Sequence, residues 1–436
     1  MKTLTAYIHG TVLDGTEQMR RIENAVVVVE NGTIVSVSAG GAVPKNAKVV
    51  DLQGKYLVPG LINLHCHLAG DGKPQKIDDS TADLIQSQLK NPIGRFIMKR
   101  MCASSAKTEL LSGTTTIRTV GGLSDFDAVL RDEIASGRRT GARIVTSNEA
   151  ISVPGGHMAG TLARISHSPK EAAALVEEIA KGKPDLIKLM ITAGTLDIDK
   201  AGDEKKILMP EEQVRAACDQ AHRLGYPVAA HVQGTEGIKL ALQCGVNTIE
   251  HGADLNDELV ALFLKKKAAL ISTITVVAAF ASLPLELSGL PKLYRDSCPI
   301  YMEQIIRGFK KAVAANIPIG MGLDNGSALI TQYCMWRELY FFCRYIGTPP
   351  EFALYTATQK NADILGLGSQ LGSIEVGKKA DMLITKGNPL LDFSTMAEPI
   401  LVVKEGIDYR PKFKRLRKYD ALLDRITEFD ADFLTK

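Results

Sequence analysis

Short runs of apolar and β-branched residues, separated by turn signals, occupy both ends of the chain. Residues 25–37 carry four consecutive valines, then Asn31 and Gly32, then a second β-rich run. An Asn-Gly pair between two such runs predicts a β-hairpin. The same character returns at 372–384 and 400–403. These regions together predict one small β-sandwich assembled from both ends of the chain.

The middle of the chain alternates short apolar runs with amphipathic stretches of helical period, a pattern typical of parallel βα units. The eight predicted strands cover 57–63, 114–120, 142–147, 185–192, 226–231, 246–250, 269–275 and 317–322. The predicted helices include 170–181, 211–224, 234–244 and 256–267. Eight units within about 270 residues predict a closed, eight-stranded β/α barrel of the TIM type.

The chain is therefore expected to be an α/β protein in three parts. Residues 1–56 and 362–410 are assigned to the β-sandwich, and residues 57–361 to the barrel. Residues 411–436 form a C-terminal tail. Apolar residues recur at helical spacing within 413–434, which predicts a helix that packs on the barrel or on a neighbouring subunit.

Composition and charge are those of an ordinary globular protein. The 436 residues are 45% hydrophobic and 23% charged, and 52 Lys and Arg against 49 Asp and Glu give a net charge of +3. This balance gives no electrostatic support for a nucleic-acid partner. The longest run of low polarity, 268–283, is shorter than the about 20 apolar residues that span a membrane, so no membrane segment is expected.

Cysteine usage and the N-terminal segment bear on the compartment. The seven cysteines are scattered and form no Cys-x-x-Cys pair. That usage fits a reducing environment better than a disulfide framework. The first residues lack the apolar core and cleavage site of a signal peptide. A cytoplasmic location is therefore expected.

The first predicted barrel strand runs directly into His65-Cys66-His67. Residues i and i+2 of an extended segment share a face, so both imidazoles point the same way and can reach one metal ion. Ordinary partly buried histidines produce the same pattern. The position favours the metal interpretation, because active sites of β/α barrels lie at the carboxyl ends of the strands.

Three more side chains able to bind a metal close predicted strands, namely His231, His251 and Asp324. Any one of them alone would suit a hydrogen-bonded core residue. Together with the His-x-His pair, they place four histidines and one aspartate at one rim of the barrel. Imidazole and carboxylate ligands suit Zn²⁺ and similar divalent ions.

Lys188 lies in the middle of an apolar predicted strand. An isolated ammonium is too costly to bury, so this lysine must be paired, neutral or modified. One alternative is an ion pair with an acid inside the barrel. The other is a carbamate, in which the deprotonated amine adds CO₂ and becomes an anion able to bridge two metals. The residues alone leave both alternatives open.

These positions together resemble the amidohydrolase superfamily in its binuclear form. The resemblance rests on residues at predicted strands one, four, five, six and eight: His65, His67, Lys188, His231, His251 and Asp324. The opening strand at 57–65 and the segment 372–381 are also similar to that superfamily, and the resemblance covers roughly 20–408.

The resemblance implies a role for each of these residues around two divalent ions, which are expected to be Zn²⁺. The more buried ion would be bound by His65, His67 and Asp324. The more exposed ion would be bound by His231 and His251, and a carbamate on Lys188 would bridge the two. A hydroxide between the ions would be the nucleophile, since a metal lowers the pKa of bound water to about 7. Asp324 would pass its proton to the leaving nitrogen.

Three further residues are assigned to substrate binding. A Gly-Gly-His turn ending at His157 resembles the prolidase and imidazolonepropionase-like branch, in which this histidine stabilises the developing oxyanion. A loop histidine with no such role is the alternative. Arg118, after strand two, also resembles this branch and could be structural or substrate-binding. Gln233 stands where prolidase-like members carry a tyrosine that meets the substrate carboxylate, a departure that bears on dipeptide specificity.

The resemblance implies an enzyme that hydrolyses an amide or peptide C–N bond in a small molecule. The expected substrates are dipeptides of the Xaa-Pro type or N-acyl amino acids. A cyclic-amide hydrolase or a deaminase is the alternative within the superfamily, but mononuclear deaminases generally lack the lysine at the position of Lys188. A metal-free scaffold is the non-enzymatic alternative, which the complete ligand set disfavours. A homo-oligomer is expected, as is common in the superfamily.

Overall fold

The computed structural model describes residues 4–74, 79–197 and 200–430. The strands are β1 (Leu4–Leu13), β2 (Arg21–Glu30), β3 (Thr33–Ala39), β4 (Lys48–Asp51), β5 (Tyr56–Pro59), β6 (Leu61–Cys66), β7 (Thr114–Thr119), β8 (Arg143–Thr146), β9 (Ala150–Ser152), β10 (Ala163–Ile165), β11 (Ile187–Met190), β12 (Val228–Val232), β13 (Thr248–His251), β14 (Ala269–Ser272), β15 (Ile319–Met321), β16 (Met382–Thr385), β17 (Leu401–Lys404) and β18 (Ile407–Tyr409).

The helices lie mostly between the strands of the middle region. They are α1 (Asp79–Lys90), α2 (Pro92–Leu111), α3 (Phe126–Ala135), α4 (Pro169–Lys181), α5 (Glu211–Arg223), α6 (Thr235–Cys244), α7 (Asp257–Lys266), α8 (Ile274–Ser282), α9 (Leu285–Ser288), α10 (Lys292–Ala314), α11 (Met335–Ile346), α12 (Pro350–Tyr355), α13 (Asn361–Ile364) and α14 (Arg417–Asp424). Within the described ranges, no helix is long and apolar enough to cross a membrane.

Both ends of the chain join in one eight-stranded sheet. Its order is β18-β17-β16-β5-β1-β2-β3, with β4 beside β1. The predicted hairpin is confirmed, because β2 and β3 pair antiparallel up to Glu30 and Thr33 around a turn of two residues with positive φ. Apolar side chains such as Val27 and Met382 come from opposite ends of the sequence and share one buried cluster. The two-layer sandwich stays a prediction.

The middle of the chain forms two parallel sheets, ordered β6-β7-β8 and β10-β9-β11-β12-β13-β14-β15. From β11 onward each neighbour in the sheet is also the next strand in the chain, with helices between most of them. A parallel bridge joins Cys66 at the end of β6 to Asn325 beyond β15. The predicted α/β class with parallel βα units is confirmed. Closure into a TIM-type barrel stays a prediction.

The strand predicted over 57–63 is in fact two strands with different partners. β5 pairs with β1 and β16 in the terminal sheet, whereas β6 pairs with β7 in a parallel sheet. The chain changes sheet at Gly60, where a Cβ atom would meet the side chain of Thr115 at 2.4 Å. The apolar run is continuous because both strands are buried, so hydrophobicity alone could not show the break. The domain bounds given by the sequence stay a prediction.

The strand predicted over 269–275 ends at Ser272, and helix α8 begins at Ile274. The buried carboxylate of Glu338 in α11 accepts hydrogen bonds from the backbone N–H groups of Ile274 and Thr275, each at 2.9 Å. A negative charge at the first turn satisfies free N–H groups and favours the start of a helix. The apolar sequence predicts a strand here, whereas the hydrogen bonds to Glu338, a residue distant in sequence, favour a helix.

The C-terminal tail is helical over α14 and packs on helices of the middle region. Leu423 and Ile426 are buried in the main apolar core. Arg337 of α11 donates to Asp424 at 2.6 Å. The two predicted partners of the tail are the barrel and a neighbouring subunit, and the structure shows packing on helices of the region assigned to the barrel. The end of the predicted tail, 431–436, lies outside the described residues.

Candidate metal centre

The six predicted ligand residues lie within or just after the parallel strands and line one cavity of about 360 Å³. They are His65 in β6, His67 directly after it, Lys188 in β11, His231 in β12, His251 in β13 and Asp324 beyond β15. Neighbouring parallel strands end at the same edge of a sheet, which is why residues far apart in sequence meet here. The structure therefore brings all six together.

Three of these side chains are close enough to share one ion. The ligand atoms of His65, His251 and Asp324 lie within 4.8 Å of one another. The Asp324 Oδ1 atom is 3.5 Å from Nε2 of His65 and 3.3 Å from Nε2 of His67. Asp324 has a φ of 55° and His251 a φ of 70°, in the left-handed region that non-glycine residues rarely adopt. Such backbone strain is common at functional sites.

The outer nitrogens of three imidazoles are held by hydrogen bonds. Nδ1 of His65 lies 2.8 Å from Oε2 of Glu250, Nδ1 of His67 lies 2.9 Å from the carbonyl of Gly121, and Nδ1 of His251 lies 2.8 Å from Thr273 Oγ1. A ring N–H that donates to a carboxylate or carbonyl leaves Nε2 as a lone pair directed away from that partner. Metal-binding histidines typically have this support.

Two buried polar atoms at the site have no hydrogen-bond partner, Nζ of Lys188 and Nδ1 of His231. Buried polar groups are rarely left in this state unless a ligand, water or ion completes them. Burial lowers the pKa of Lys188 to about 8, which makes its neutral amine accessible near neutral pH. The ion pair offered as one alternative for Lys188 is not observed within the described part of the chain.

The protonation of the imidazoles also fits metal binding. Burial lowers the pKa of His251 to about 4 and holds those of His65 and His231 well below the ordinary value. Neutral imidazoles keep a lone pair for a metal. With the carboxylate of Asp324 and the amine of Lys188, whose neutral form burial favours, this donor set fits divalent ions such as Zn²⁺.

His157 lies beside this cluster in the same cavity. Its ring stacks on that of His231, with centroids 4.1 Å apart and planes inclined by 19°. Its Nδ1 contacts the carboxylate of Asp197, which also accepts from the backbone N–H of Gly194 at 2.9 Å. The contact occupies Nδ1 and leaves Nε2 for a ligand. Sequence reasoning missed Asp197, because a single acid in a long loop has no distinguishing pattern.

Comparison with known proteins decides the family. The model of the Amidohydrolase family matches residues 56–407. The chain belongs to the amidohydrolase family. It is 34% identical to the "putative prolidase" of Bifidobacterium longum, a solved structure that it matches with a TM-score of 0.85 over 98% of this chain and 99% of that one. It is 27% identical to a solved Xaa-Pro dipeptidase, with a TM-score of 0.79 over 94% of this chain and 100% of that one.

The imidazolonepropionase of Symbiobacterium thermophilum is 24% identical over 86% of this chain and 88% of its own. The predicted family, with its prolidase-like and imidazolonepropionase-like relatives, is thereby confirmed. The amidohydrolase is accordingly a hydrolase that acts on C–N bonds, and a small-molecule or dipeptide substrate is consistent with its structural neighbours.

Arg118 does not line the cavity of this amidohydrolase. Its guanidinium is buried, donates to both oxygens of Glu250 at 2.8 Å and donates to the carbonyl of Leu64 at 2.6 Å. Since Glu250 also contacts Nδ1 of His65, Arg118 supports the position of that imidazole. Of the two roles left open for Arg118, the structure favours the structural one and not the contact with substrate.

Gln233 does line the cavity, as predicted for a residue that meets the substrate. Its Oε1 accepts a long hydrogen bond of 3.4 Å from Thr195, and its backbone N–H donates to Thr192 at 3.0 Å. Sequence reasoning missed Glu250, although it stands directly before His251. A carboxylate inside an apolar strand and next to a candidate ligand was the signal that could have identified it.

A buried carboxyl group supports the segment that carries Asp324. Glu109 of α2 is fully buried, and its Oε1 accepts from the side-chain amide of Asn325 at 2.7 Å. The Oδ1 atom of Asn325 accepts in turn from Asn63 at 2.8 Å. Burial raises the pKa of Glu109 from 4.5 to about 8.

This pKa predicts a pH-dependent stability. The fold holds the proton of Glu109 more tightly than the unfolded chain does, so its contribution is complete below the ordinary pKa of 4.5 and is lost as the pH rises toward 8. The variant Glu109→Gln cannot ionise and should reduce the stability lost between about pH 5 and pH 8 by on the order of a few kcal/mol. Urea unfolding at both pH values measures this. The surface variant Glu258→Gln is the control, and an equal loss in all three proteins would contradict the prediction.

Proposed function

We propose that this amidohydrolase cleaves the amide bond of a small molecule, a dipeptide of the Xaa-Pro type or an N-acyl amino acid, at a centre of two divalent ions. The observation that carries the proposal is the amine of Lys188. It is buried, has no hydrogen-bond partner among the described residues and lines a cavity that five histidines and Asp324 also line. A neutral amine in such a place can add CO₂, and the resulting carbamate offers two oxygen ligands.

The ligand sets proposed for the two ions are those that the resemblance to binuclear amidohydrolases implies, and His251, whose ligand atom lies within 4.8 Å of those of His65 and Asp324, would belong to the neighbouring set. His65, His67 and Asp324 would hold one ion, while His231 and His251 would hold the other. The carbamate on Lys188 would contact both. Bound there, the ions supply an activated water and polarise the carbonyl of the substrate. Lys188 also favours this function over a mononuclear deaminase, because a centre of one ion has no second ion for the carbamate to contact.

Side chains of the protein would accept and release the protons of the reaction. Asp324 is charged in the fold: although burial raises its pKa, the neighbouring histidines outweigh that effect and lower it. It can therefore accept a proton from the attacking water and release it to the leaving nitrogen. His157 contacts Asp197 through Nδ1, and an N–H at Nε2 would donate to the carbonyl oxygen, where negative charge develops. Gln233 offers an amide to the polar part of the substrate.

Metal content per chain tests this centre. Elemental mass spectrometry of protein purified with bicarbonate should find about two divalent ions per chain, and Lys188→Ala should lower that number to about one or fewer. The matched control is Lys404→Ala, which removes another buried lysine whose Nζ lies 3.1 Å from the carbonyl of Gly141, far from the cavity lining. This control should keep both ions.

The outcomes separate the alternatives for the whole protein. Two ions in the wild type, lost only in Lys188→Ala, together with hydrolysis of a dipeptide or an N-acyl amino acid, would support the proposal. No bound ion after addition of Zn²⁺ or Mn²⁺ would contradict it and favour the metal-free scaffold. Equal loss in both lysine variants would show that the effect comes from misfolding and that Lys188 is not a ligand.

A further inference from the structure

The cavity that holds the candidate metal centre has apolar walls. The helix pair α1–α2 contributes Leu84, Met98 and Met101 to its lining, and α8 contributes Val276, Val277 and Phe280. All of α8 is buried, so its side chains are fixed in place. The polar groups of the cavity, by contrast, are concentrated in the ligand cluster and in neighbours such as His157 and Gln233.

Positive charge is scarce in the same cavity. Among the described residues that line it, only Lys73 and Lys188 are lysine or arginine. Lys188 lies in the ligand cluster. Lys73 is 55% exposed and forms an ion pair with Asp71. Apart from the two ions of the proposed centre, where the scissile amide would lie, the described lining therefore offers the free carboxylate of a dipeptide no buried cation, and that carboxylate would lose hydration without a compensating side chain.

The wall formed by α1–α2 is also open to water. Leu84 is 60% exposed and Met101 is 49% exposed, although both line the cavity. Large apolar side chains that are exposed at the mouth of a cavity mark a surface that a ligand can cover. A polar substrate would gain nothing from these side chains, whereas an apolar one would remove them from water.

We propose that the preferred substrates are neutral amides with a bulky apolar acyl or aryl group, and that this group lies between α1–α2 and α8. The inference rests on the proposed amide-hydrolase centre but departs from the dipeptides and N-acyl amino acids named for it, because those substrates carry a free carboxylate. Burial of apolar surface in this space should raise kcat/KM by about fourfold for each methylene that the wall covers.

Two matched sets of amides test the inference. N-acetylphenethylamine and N-acetylphenylalanine differ only in a carboxylate, and the neutral compound should have the higher kcat/KM. In the series N-acetyl-, N-butanoyl- and N-hexanoylphenethylamine, kcat/KM should rise by on the order of 100-fold from first to last. Preference for the carboxylates, or a flat acyl series, would overturn the inference and leave the amide-hydrolase function intact.

A pair of variants on α2 locates the apolar group. Met101 lines the cavity and Ile97, one turn away, does not, yet they are 49% and 52% exposed. Met101→Gln should reduce the hexanoyl-to-acetyl ratio of kcat/KM by on the order of tenfold. Ile97→Gln should leave that ratio unchanged. Equal ratios in the two variants would show that α1–α2 is not the wall.

Binding of an unreactive analogue separates failure of the inference from failure of the proposed function. N-phenethylpentanesulfonamide has the same apolar groups as N-hexanoylphenethylamine but no scissile carbonyl, and calorimetry measures its affinity. Tight binding that Met101→Gln weakens, without hydrolysis of any amide, would support the inference and contradict the proposed function. Hydrolysis of amides by a protein that does not bind the sulfonamide would do the reverse.

Discussion

Asp324→Asn is expected to lower kcat by about 10³-fold, because under the proposed function the variant would lose both a charged metal ligand and the group that carries the proton. The carboxylate lies 3.3 Å from Nε2 of His67 and 3.5 Å from Nε2 of His65. Asparagine has the same shape and tolerates the left-handed backbone of this position, where φ is 55°. The fold should therefore survive, and steady-state kinetics with saturating Zn²⁺ or Mn²⁺ measures the chemistry.

A second aspartate serves as the control for this variant. Asp254 follows β13 at the same end of the strands, is 42% exposed and pairs with Arg307 at the surface. Asp254→Asn should keep kcat near that of the wild type. If Asp324→Asn bound its metal fully and still turned over at a rate close to the wild type, Asp324 would be neither the proton carrier nor a necessary ligand.

Arg118→Met is expected to lower the free energy of unfolding by about 3–5 kcal/mol, since it leaves a buried carboxylate without its main counter-charge. Glu250 is fully buried, and both of its oxygens accept from Arg118 at 2.8 Å. KM should change little, because Arg118 does not line the cavity. Urea unfolding and steady-state kinetics on the same preparation measure the two effects.

Two further variants show whether the loss comes from the buried charge. Adding Glu250→Gln to Arg118→Met removes that charge and should restore part of the stability, which a double-mutant cycle quantifies. Arg307→Met breaks an exposed ion pair and should cost less than about 1 kcal/mol. Unchanged stability together with a raised KM in Arg118→Met would indicate instead that Arg118 binds the substrate.

Much of the fold followed from hydrophobic period alone. The helix predicted over 211–224 is observed as Glu211–Arg223, and the strand predicted over 226–231 is observed as Val228–Val232. Both segments have one dominant period and clear ends, and their neighbours in space are also their neighbours in sequence. The predictions that failed concern junctions, where Gly60 changes sheet and where α8 begins at Ile274.

The candidate site also has a part that the sequence predicts and a part that it does not predict. The ligand positions could be predicted because they depend on local features, an i,i+2 pair in a strand and single residues at strand ends. The hydrogen bonds that support these side chains could not be predicted. Arg118 lies 132 residues from Glu250, and His157 lies 40 residues from Asp197. No period or spacing relates such pairs, so each acid was one charged residue among many.

The sequence by itself determined the alternation of parallel strands and helices in the middle of the chain, the family, and the six residues that meet in the cavity. These properties depend on side-chain period and on the shared direction of parallel strands, both of which are local. Only the tertiary structure decided that the amine of Lys188 has no hydrogen-bond partner among the described residues, that Arg118 supports His65 through Glu250, and that the cavity walls are apolar. Burial and charge pairing depend on contacts between distant segments, and those contacts exist only once the chain has folded.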